Sequence, residues 1–196
     1  MSEIKINAVS ESSYKLGEGP HWNEEDQTLI FVDIPNGSIH RYFLQTQRVQ
    51  NAQIEDAGTG GTVSFIIPVE GAKDTFAIGL GTSLALIKWS STEPDNQIKK
   101  ATLLLSLDAK QAHKVRFNDA KNYGSWASEA THEKYLGSLY IIDSDSKIST
   151  LVTKVSISNG LAWSRDNKTL YYIDTPELRV DAFDYSFETG DINFKH

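Results

Sequence analysis

Three polar side chains, each with an oxygen atom that could bind a metal ion, recur at one position of an internal repeat in this 196-residue sequence. Glu18 and Asn159 stand 141 residues apart and are each followed by glycine, and Asn118 takes the same position in a weaker copy. A carboxylate and carboxamides that converge form an oxygen-rich cluster, which suits Ca²⁺ and Mg²⁺ and is also accepted by Mn²⁺ and Zn²⁺. The remaining copy has Phe65 there. The alternative is that these polar residues only cap strand ends and turns.

The repeat that must position these residues is clearest in its first and last copies. Residues 18–42 and 159–185 keep the same order of strand, polar turn, apolar strand, second turn and further strand. Identical residues coincide without a gap at Gly19/Gly160, Trp22/Trp163, Thr28/Thr169, Leu29/Leu170, Asp33/Asp174 and Pro35/Pro176. Because 141 is three times 47, we expect a repeat of 47 residues, and residues 75–89 match the first copy at that shift.

This period predicts an all-β chain folded as a β-propeller. Repeats of about 40–50 residues, each holding several short strands closed by polar turns, are typical of propeller blades. The predicted repeats cover approximately residues 14–53, 62–107, 113–155 and 156–196, all within one domain spanning 1–196. Residues 4–9 alternate in polarity and are predicted as a strand before the first repeat. An all-β sandwich with coincidental strand spacing is the alternative.

The composition indicates a globular protein with a sizeable core. Hydrophobic residues make up 39% of the chain, and the net charge of −7 argues against nucleic acid or an anionic membrane as partner, since both select basic surfaces. The chain has no cysteine, which excludes disulfide frameworks and thiolate metal sites. No signal-peptide pattern or membrane-length apolar run is present, so we expect a cytoplasmic protein.

Several motifs resemble the regucalcin (senescence marker protein), gluconolactonase and luciferin-regenerating enzyme family, over essentially the whole chain. The most specific are Arg116-Phe-Asn-Asp119 and Ser158-Asn-Gly-Leu-Ala-Trp163. The others are Leu16-Gly-Glu-Gly-Pro-His-Trp22, Phe31-Val-Asp-Ile-Pro35, Tyr172-Ile-Asp174 and Val180-Asp-Ala-Phe-Asp-Tyr185. Members of this family are six-bladed propellers. The resemblance therefore implies that about four blades of an incomplete ring are present.

The resemblance also implies a chemistry, the hydrolysis of sugar lactones such as gluconolactone with one divalent metal ion (Ca²⁺, Zn²⁺, Mn²⁺ or Mg²⁺) on the propeller axis. Glu18 and Asn159 match the family's metal ligands, and Arg116 and Asn118 match residues that hold the hydroxyls of the substrate. A further substrate contact falls on Glu133, with Glu129 as the competing choice. The metal would polarise the lactone carbonyl and stabilise the charge that develops as water attacks.

Two departures from the family's pattern bear on activity. After Asp119 the family has Gly-Lys and a longer turn, whereas Ala120 and a shorter turn stand here. The family's third metal ligand, an aspartate that also acts as the base, falls beyond the fourth repeat, and the sequence ends at His196. We therefore assign no catalytic residue and expect weak metal binding and impaired hydrolysis. The alternative is a non-catalytic calcium-binding or regulatory relative of regucalcin.

The expected partner is a small sugar lactone, with no nucleic acid or membrane partner. An incomplete ring would leave sheet edges open, and open edges favour self-association. Asp33 and Asp174 recur before turns that contain proline, and we predict that they form turns rather than catalyse. The five histidines share no repeat position and are predicted in turns or at the surface.

Overall fold

A computed structural model describes residues 4–10, 13–56, 58, 60–107, 115–121, 125–130, 134–142 and 147–194, with the side chains of 121 and 125–130 left out. These residues form 17 strands and one short 3₁₀ helix, Thr175–Glu177. The predicted all-β class is confirmed. None of the described helical structure is long and apolar enough to cross a membrane.

The first two sheets are formed by residues 17–106. The first sheet contains β1 (Gly17–Asn23), β2 (Thr28–Asp33), β3 (Ser38–Phe43), β4 (Val49–Ile54) and β8 (Gln97–Lys99). The second contains β5 (Val63–Pro68), β6 (Thr75–Leu80), β7 (Ser83–Lys88) and β9 (Thr102–Ser106). Apart from β8, neighbouring strands are antiparallel and follow the order of the chain.

The third and fourth sheets repeat this antiparallel order. The third contains β10 (Val115–Lys121), β11 (Ser125–Ala130), β12 (Gly137–Ile142) and β13 (Ile148–Val155). The fourth contains β14 (Ser158–Trp163), β15 (Thr169–Asp174), β16 (Asp181–Tyr185) and β17 (Ile192–Phe194). That the four sheets are blades of a six-bladed ring stays a prediction.

Apolar clusters lie between successive sheets and hold them together. Ile39 of the first sheet and Ile78 of the second belong to one cluster, and Phe65 of the second and Phe117 of the third belong to another. A third cluster joins Leu139 to the fourth sheet. All five side chains are buried, and each contributes about 1.5–3 kcal/mol of transfer free energy. The sheets are therefore packed against each other in chain order.

The first strands of all four sheets are bulged at an equivalent point. The pairing register with the next strand shifts at Glu18/His21 in β1, Val63/Ile66 in β5, Phe117/Ala120 in β10 and Asn159/Leu161 in β14. A bulge inserts an extra residue and re-aims the side chains around it. Gly19 and Gly160 adopt φ angles of 58° and 62°, which explains the glycine after each of these two predicted metal ligands. β1 contacts β5, β5 contacts β10 and β10 contacts β14, so the bulges lie on neighbouring strands.

Two expectations about strands are wrong or incomplete. Residues 4–9 form no strand, and Ile4 and Ile6 are 87% and 92% exposed. Alternating polarity indicates a strand only where a neighbouring strand pairs with it and one face is buried. The sequence did not predict β8, which pairs in parallel with β4. It is short and largely exposed, so no apolar pattern marks it.

Candidate functional site

Glu18 lies at the start of the bulge in β1, opposite Val32 of β2. Its side chain is exposed and forms no hydrogen bond or ion pair with the residues that the structure describes. A Cβ at Gly19 would lie 3.7 Å from the Cα of Phe65. The bulge that carries Glu18 therefore lies against the first strand of the second sheet, with the carboxylate accessible.

Asn159 holds the equivalent position in the fourth sheet, opposite Ile173. Its side chain is half-buried, and its Nδ2 donates a hydrogen bond of 2.7 Å to Oγ1 of Thr175. Thr175 begins the 3₁₀ helix that follows β15. This bond orients the amide, because the nitrogen is committed to Thr175 and Oδ1 is turned towards the third sheet.

Asn118 connects the third sheet to the fourth through both hydrogens of its amide. Its Nδ2 donates to the carbonyl oxygen of Ser158 at 2.7 Å and to Oδ1 of Asn159 at 2.9 Å. The residue is 9% exposed. Buried polar groups require partners, and this side chain supplies them to two neighbouring residues of β14.

Two further residues extend this network. Nη1 of Arg116 donates at 2.9 Å to Oδ1 of Asn118 and at 2.9 Å to the carbonyl oxygen of Phe117. Oδ2 of Asp119 accepts a hydrogen bond of 2.7 Å from the backbone N–H of Gly160. The result is a continuous chain of hydrogen bonds from Arg116 through Asn118 and Asn159 to Thr175.

The available oxygens fit a hard divalent cation by their chemistry. Glu18 offers two carboxylate oxygens, and Oδ1 of Asn159 accepts one hydrogen bond, which leaves it a second lone pair. Carboxylate and carboxamide oxygens are ligands that Ca²⁺ uses in proteins. Within the described ranges, no group of three His, Cys, Asp or Glu side chains could hold a metal ion. A cation bound here would therefore use carboxamide oxygens or water beside Glu18.

The structure brings three of the five predicted site residues together: Arg116, Asn118 and Asn159 share one hydrogen-bonded chain. Glu18 holds the equivalent position on β1 and forms no hydrogen bond with them. Glu133 lies outside the described residues. Its competitor Glu129 stands opposite Arg116 in the β10–β11 pairing, and its side chain is not among those described.

Sequence reasoning missed the roles of Asp119 and Thr175. Asp119 was noted only as part of a motif, although it contacts the glycine that follows Asn159. Thr175 had no repeat signal, because the first copy has Ile34 at that position. The contact of Asp119 crosses from the third sheet to the fourth, and such a contact leaves no periodic trace in a sequence.

The histidine expectation is wrong for His40, which is buried in β3. Its Nδ1 lies 2.6 Å from Oδ1 of Asn51 and its Nε2 lies 3.0 Å from Oγ of Ser38. The ring packs against those of Tyr14 and Phe31, which also contact each other. A cleft of about 1370 Å³ is lined by Tyr14, Ser38, His40 and Asn51, among others, and its described lining includes none of the five predicted site residues.

We expect His40 to make stability depend on pH. Burial lowers the pKa of His40 below its usual 6.5, against smaller opposing effects from Asn51 and Asp33. The unfolded chain therefore takes up the proton first as the pH falls, so the free energy of unfolding decreases as the pH drops below about 6.5. Urea unfolding at several pH values should show a smaller decrease for His40→Gln than for the wild type.

Gly71→Ala is the control for this experiment. Gly71 has a φ of 72° and open space around the position of a Cβ, so alanine costs about 1–2 kcal/mol by conformation alone. That variant should be less stable at every pH but keep the wild-type pH dependence. Equal pH dependence in His40→Gln and the wild type would contradict the assignment to His40.

Residues 16–196 match the protein family described as the SMP-30/gluconolactonase/LRE-like region. The chain is 34% identical over 200 residues to regucalcin of Xenopus laevis, covering 97% of this chain and 62% of that protein. It is 35% identical over 202 residues to regucalcin of Gallus gallus, covering 98% and 62%. The chain thus spans about 62% of the length of these curated relatives.

Comparison with solved structures indicates the type of fold. A luciferin-regenerating enzyme superposes with a TM-score of 0.82 at 30% identity, covering 93% of this chain and 60% of that one. Regucalcin from Agrobacterium tumefaciens strain C58, described as a calcium-binding protein, gives 0.79 at 21% identity, covering 95% and 60%. The β-propeller domain of Cps50 (Swd1) from Myceliophteria thermophila gives 0.61 at 15% identity, covering 92% and 58%. The fold is therefore propeller-like.

Proposed function

The chain belongs to the SMP-30/gluconolactonase/LRE-like family, and from this membership we propose that it serves in the divalent-metal-dependent hydrolysis of a sugar lactone. In this proposal the four sheets are blades of a six-bladed propeller, and their first strands line its axis. Glu18 and Asn159 hold the metal, and Arg116, Asn118 and Glu133 contact the lactone. The metal is Ca²⁺, Zn²⁺, Mn²⁺ or Mg²⁺.

The observation that carries this proposal is the hydrogen-bonded chain from Arg116 through Asn118 to Asn159. It joins two residues proposed to contact substrate to one proposed metal ligand. A substrate held by the first two would therefore lie beside the third. The repeat equivalence of Glu18 and Asn159 adds a second oxygen ligand of the kind that Ca²⁺ prefers.

The residues of this chain would act by orientation. A guanidinium offers directional N–H donors and Oδ1 of Asn118 is an acceptor, and together they suit the hydroxyls of a sugar lactone. Thr175 holds the amide of Asn159 in one orientation, and Asp119 fixes the backbone after it. When bound, the metal supplies polarisation of the lactone carbonyl and stabilises its developing negative charge.

A specific contact favours a second candidate, a non-catalytic calcium-binding protein. Both Nδ2 hydrogens of Asn118 are used by Ser158 and Asn159, so this side chain offers a substrate only an acceptor. A residue committed in this way contributes more to the architecture of a metal site than to substrate recognition. The same oxygen ligands would then bind Ca²⁺ without turnover.

The test is δ-gluconolactone hydrolysis by the purified chain, after EDTA treatment and after return of each of the four metals. We expect a rate above spontaneous hydrolysis that EDTA removes and one metal restores, because the charge on the carbonyl oxygen is otherwise unopposed. Calorimetric titration of the same samples measures metal binding directly. Size-exclusion chromatography at several concentrations tests the accompanying proposal that open sheet edges support self-association.

The outcomes separate the two candidates. Metal binding without hydrolysis favours the calcium-binding function. Hydrolysis that survives EDTA would contradict metal dependence, and a folded chain that neither binds metal nor hydrolyses lactone would overturn both candidates.

A further inference from the structure

Two buried carboxylates occupy the same repeat position in the first and fourth sheets. Asp33 ends β2 and is 1% exposed, and Asp174 ends β15 and is 6% exposed. Buried carboxylates are costly unless hydrogen bonds satisfy them. The hydrogen-bond partners of Asp33 and Asp174 therefore indicate the structural role of these two carboxylates.

Both carboxylates bind two consecutive backbone N–H groups just before the first strand of their sheet. Oδ2 and Oδ1 of Asp33 accept hydrogen bonds from the N–H groups of Lys15 and Leu16, at 3.1 Å each. Oδ2 and Oδ1 of Asp174 accept from the N–H groups of Ser156 and Ile157, at 2.9 and 2.8 Å. We call each carboxylate with its two N–H partners a strand-entry clamp.

A backbone hydrogen bond completes each clamp. The N–H of Ile34 donates to the carbonyl oxygen of Leu16 at 3.1 Å, and the N–H of Thr175 donates to that of Ile157 at 2.9 Å. The residue that follows Asp33 or Asp174 therefore returns to the clamped segment. Turn formation, which the sequence predicted for Asp33, is also present, because Nδ2 of Asn36 donates to Oδ2 of Asp33 at 2.7 Å.

Each clamp lies two residues before an oxygen ligand. Leu16 precedes Glu18 by two residues, and Ile157 precedes Asn159 by two. The bulge follows at once, so the path of the backbone at the ligand is set on one side by the clamp and on the other by the bulge. A carboxylate that binds two successive N–H groups leaves the strand entry little freedom.

The second sheet lacks both the ligand and the clamp. Phe65 stands where Glu18 would be, and Leu80 stands where Asp33 would be. Both side chains are buried in apolar clusters. A propeller-like sheet thus forms without the clamp, and the clamp accompanies the sheets that carry Glu18 and Asn159.

We propose that Asp33 and Asp174 are positioning residues for the metal ligands Glu18 and Asn159. This inference rests on the proposed function, because it assumes that these two residues bind a metal. Neither aspartate touches the metal in this proposal. Each acts through the backbone of the strand that carries the ligand.

The experiment measures binding of Tb³⁺, used as a luminescent substitute for Ca²⁺, to the wild-type chain and to Asp33→Asn and Asp174→Asn. Asparagine keeps the shape but loses the charge and one of the two acceptor oxygens. We expect each variant to bind Tb³⁺ about 10–100-fold more weakly, the usual effect of disturbing a residue that orients a ligand. Luminescence lifetimes in H₂O and D₂O should report about one additional coordinated water, because a displaced ligand is replaced by solvent.

Loss of stability alone would not change the hydration of the bound ion, so the lifetimes separate positioning from folding. Asp166→Asn is the matched control, because it makes the same change in an exposed turn of the fourth sheet and should leave affinity and hydration unchanged. Circular dichroism identifies any variant that does not fold. For such a variant, Asp33→Glu or Asp174→Glu keeps the charge, shifts the clamped segment and should also weaken Tb³⁺ binding.

Unchanged affinity and hydration in folded variants of both aspartates, with a wild type that binds Tb³⁺, overturn the positioning role and leave the proposed function intact. A wild type that binds neither Tb³⁺ nor Ca²⁺ overturns the metal site itself, and the positioning role with it.

Discussion

Glu18→Gln is expected to lower the affinity for Ca²⁺ by about 100-fold or more and to leave the fold intact. Disturbing a residue that only orients a ligand already costs about 10–100-fold, and this change removes the charge of a proposed ligand itself. The side chain is exposed and has no hydrogen bond or ion pair among the described residues. Its replacement should therefore change the free energy of unfolding by less than about 0.5 kcal/mol.

Calcium titration by calorimetry and thermal unfolding without metal check the two halves of this prediction. Glu25→Gln is the matched control, because Glu25 is an exposed glutamate in the turn after β1. It should bind Ca²⁺ as the wild type does. If both variants bind Ca²⁺ equally well, Glu18 is not a metal ligand. Any metal ligands would then have to come from the third and fourth sheets.

The repeat made the fold accessible to sequence reasoning. The coincidence of Trp22 with Trp163 and Asp33 with Asp174 comes from strands that build equivalent sheets, so the all-β class and the order of strands could be predicted. The secondary structure of segments outside the repeat was predicted less accurately. Residues 4–9 have a strand-like pattern without a described partner, and β8 has a partner in β4 without a strand-like pattern. Strand pairing is a long-range property, whereas polarity is local.

The candidate site shows the same division. The repeat pointed to Glu18, Asn118 and Asn159 because all three share one position. It left open whether they bind a ligand or cap strand ends, since both roles use the same side chains. The structure adds that Asn118 and Asn159 are hydrogen-bonded to each other. That contact crosses from one sheet to the next, and only the packing of the sheets creates it.

Buried polar residues were the hardest to interpret from sequence. His40 has no repeat partner and was expected in a turn or at the surface, yet Ser38 and Asn51 satisfy it inside the first sheet. Asp33 and Asp174 were expected in turns, which describes where they stand but not the strand entries that they bind. A polar side chain becomes part of the interior when the fold supplies its partners.

Asn118→Asp should destabilise the metal-free chain by about 2–3 kcal/mol, because the substitution keeps the volume and removes two buried donors. The carbonyl oxygen of Ser158 and Oδ1 of Asn159 would then face a carboxylate instead of an N–H group. A stronger hydrogen bond with Arg116 would offset part of this loss. For a chain of this size the melting temperature should fall by about 5–10 °C.

Thermal unfolding in EDTA measures this effect without any contribution from bound metal. Asn7→Asp is the control, because it makes the same change at an exposed residue and should melt with the wild type. A melting temperature unchanged by Asn118→Asp, together with a lower affinity for lactone, would identify Asn118 as a substrate contact alone. The expected loss of stability would instead show that Asn118 links Arg116 of the third sheet to Asn159 of the fourth sheet. Substrate and metal would then be held by one network, whose geometry depends on the packing of two sheets.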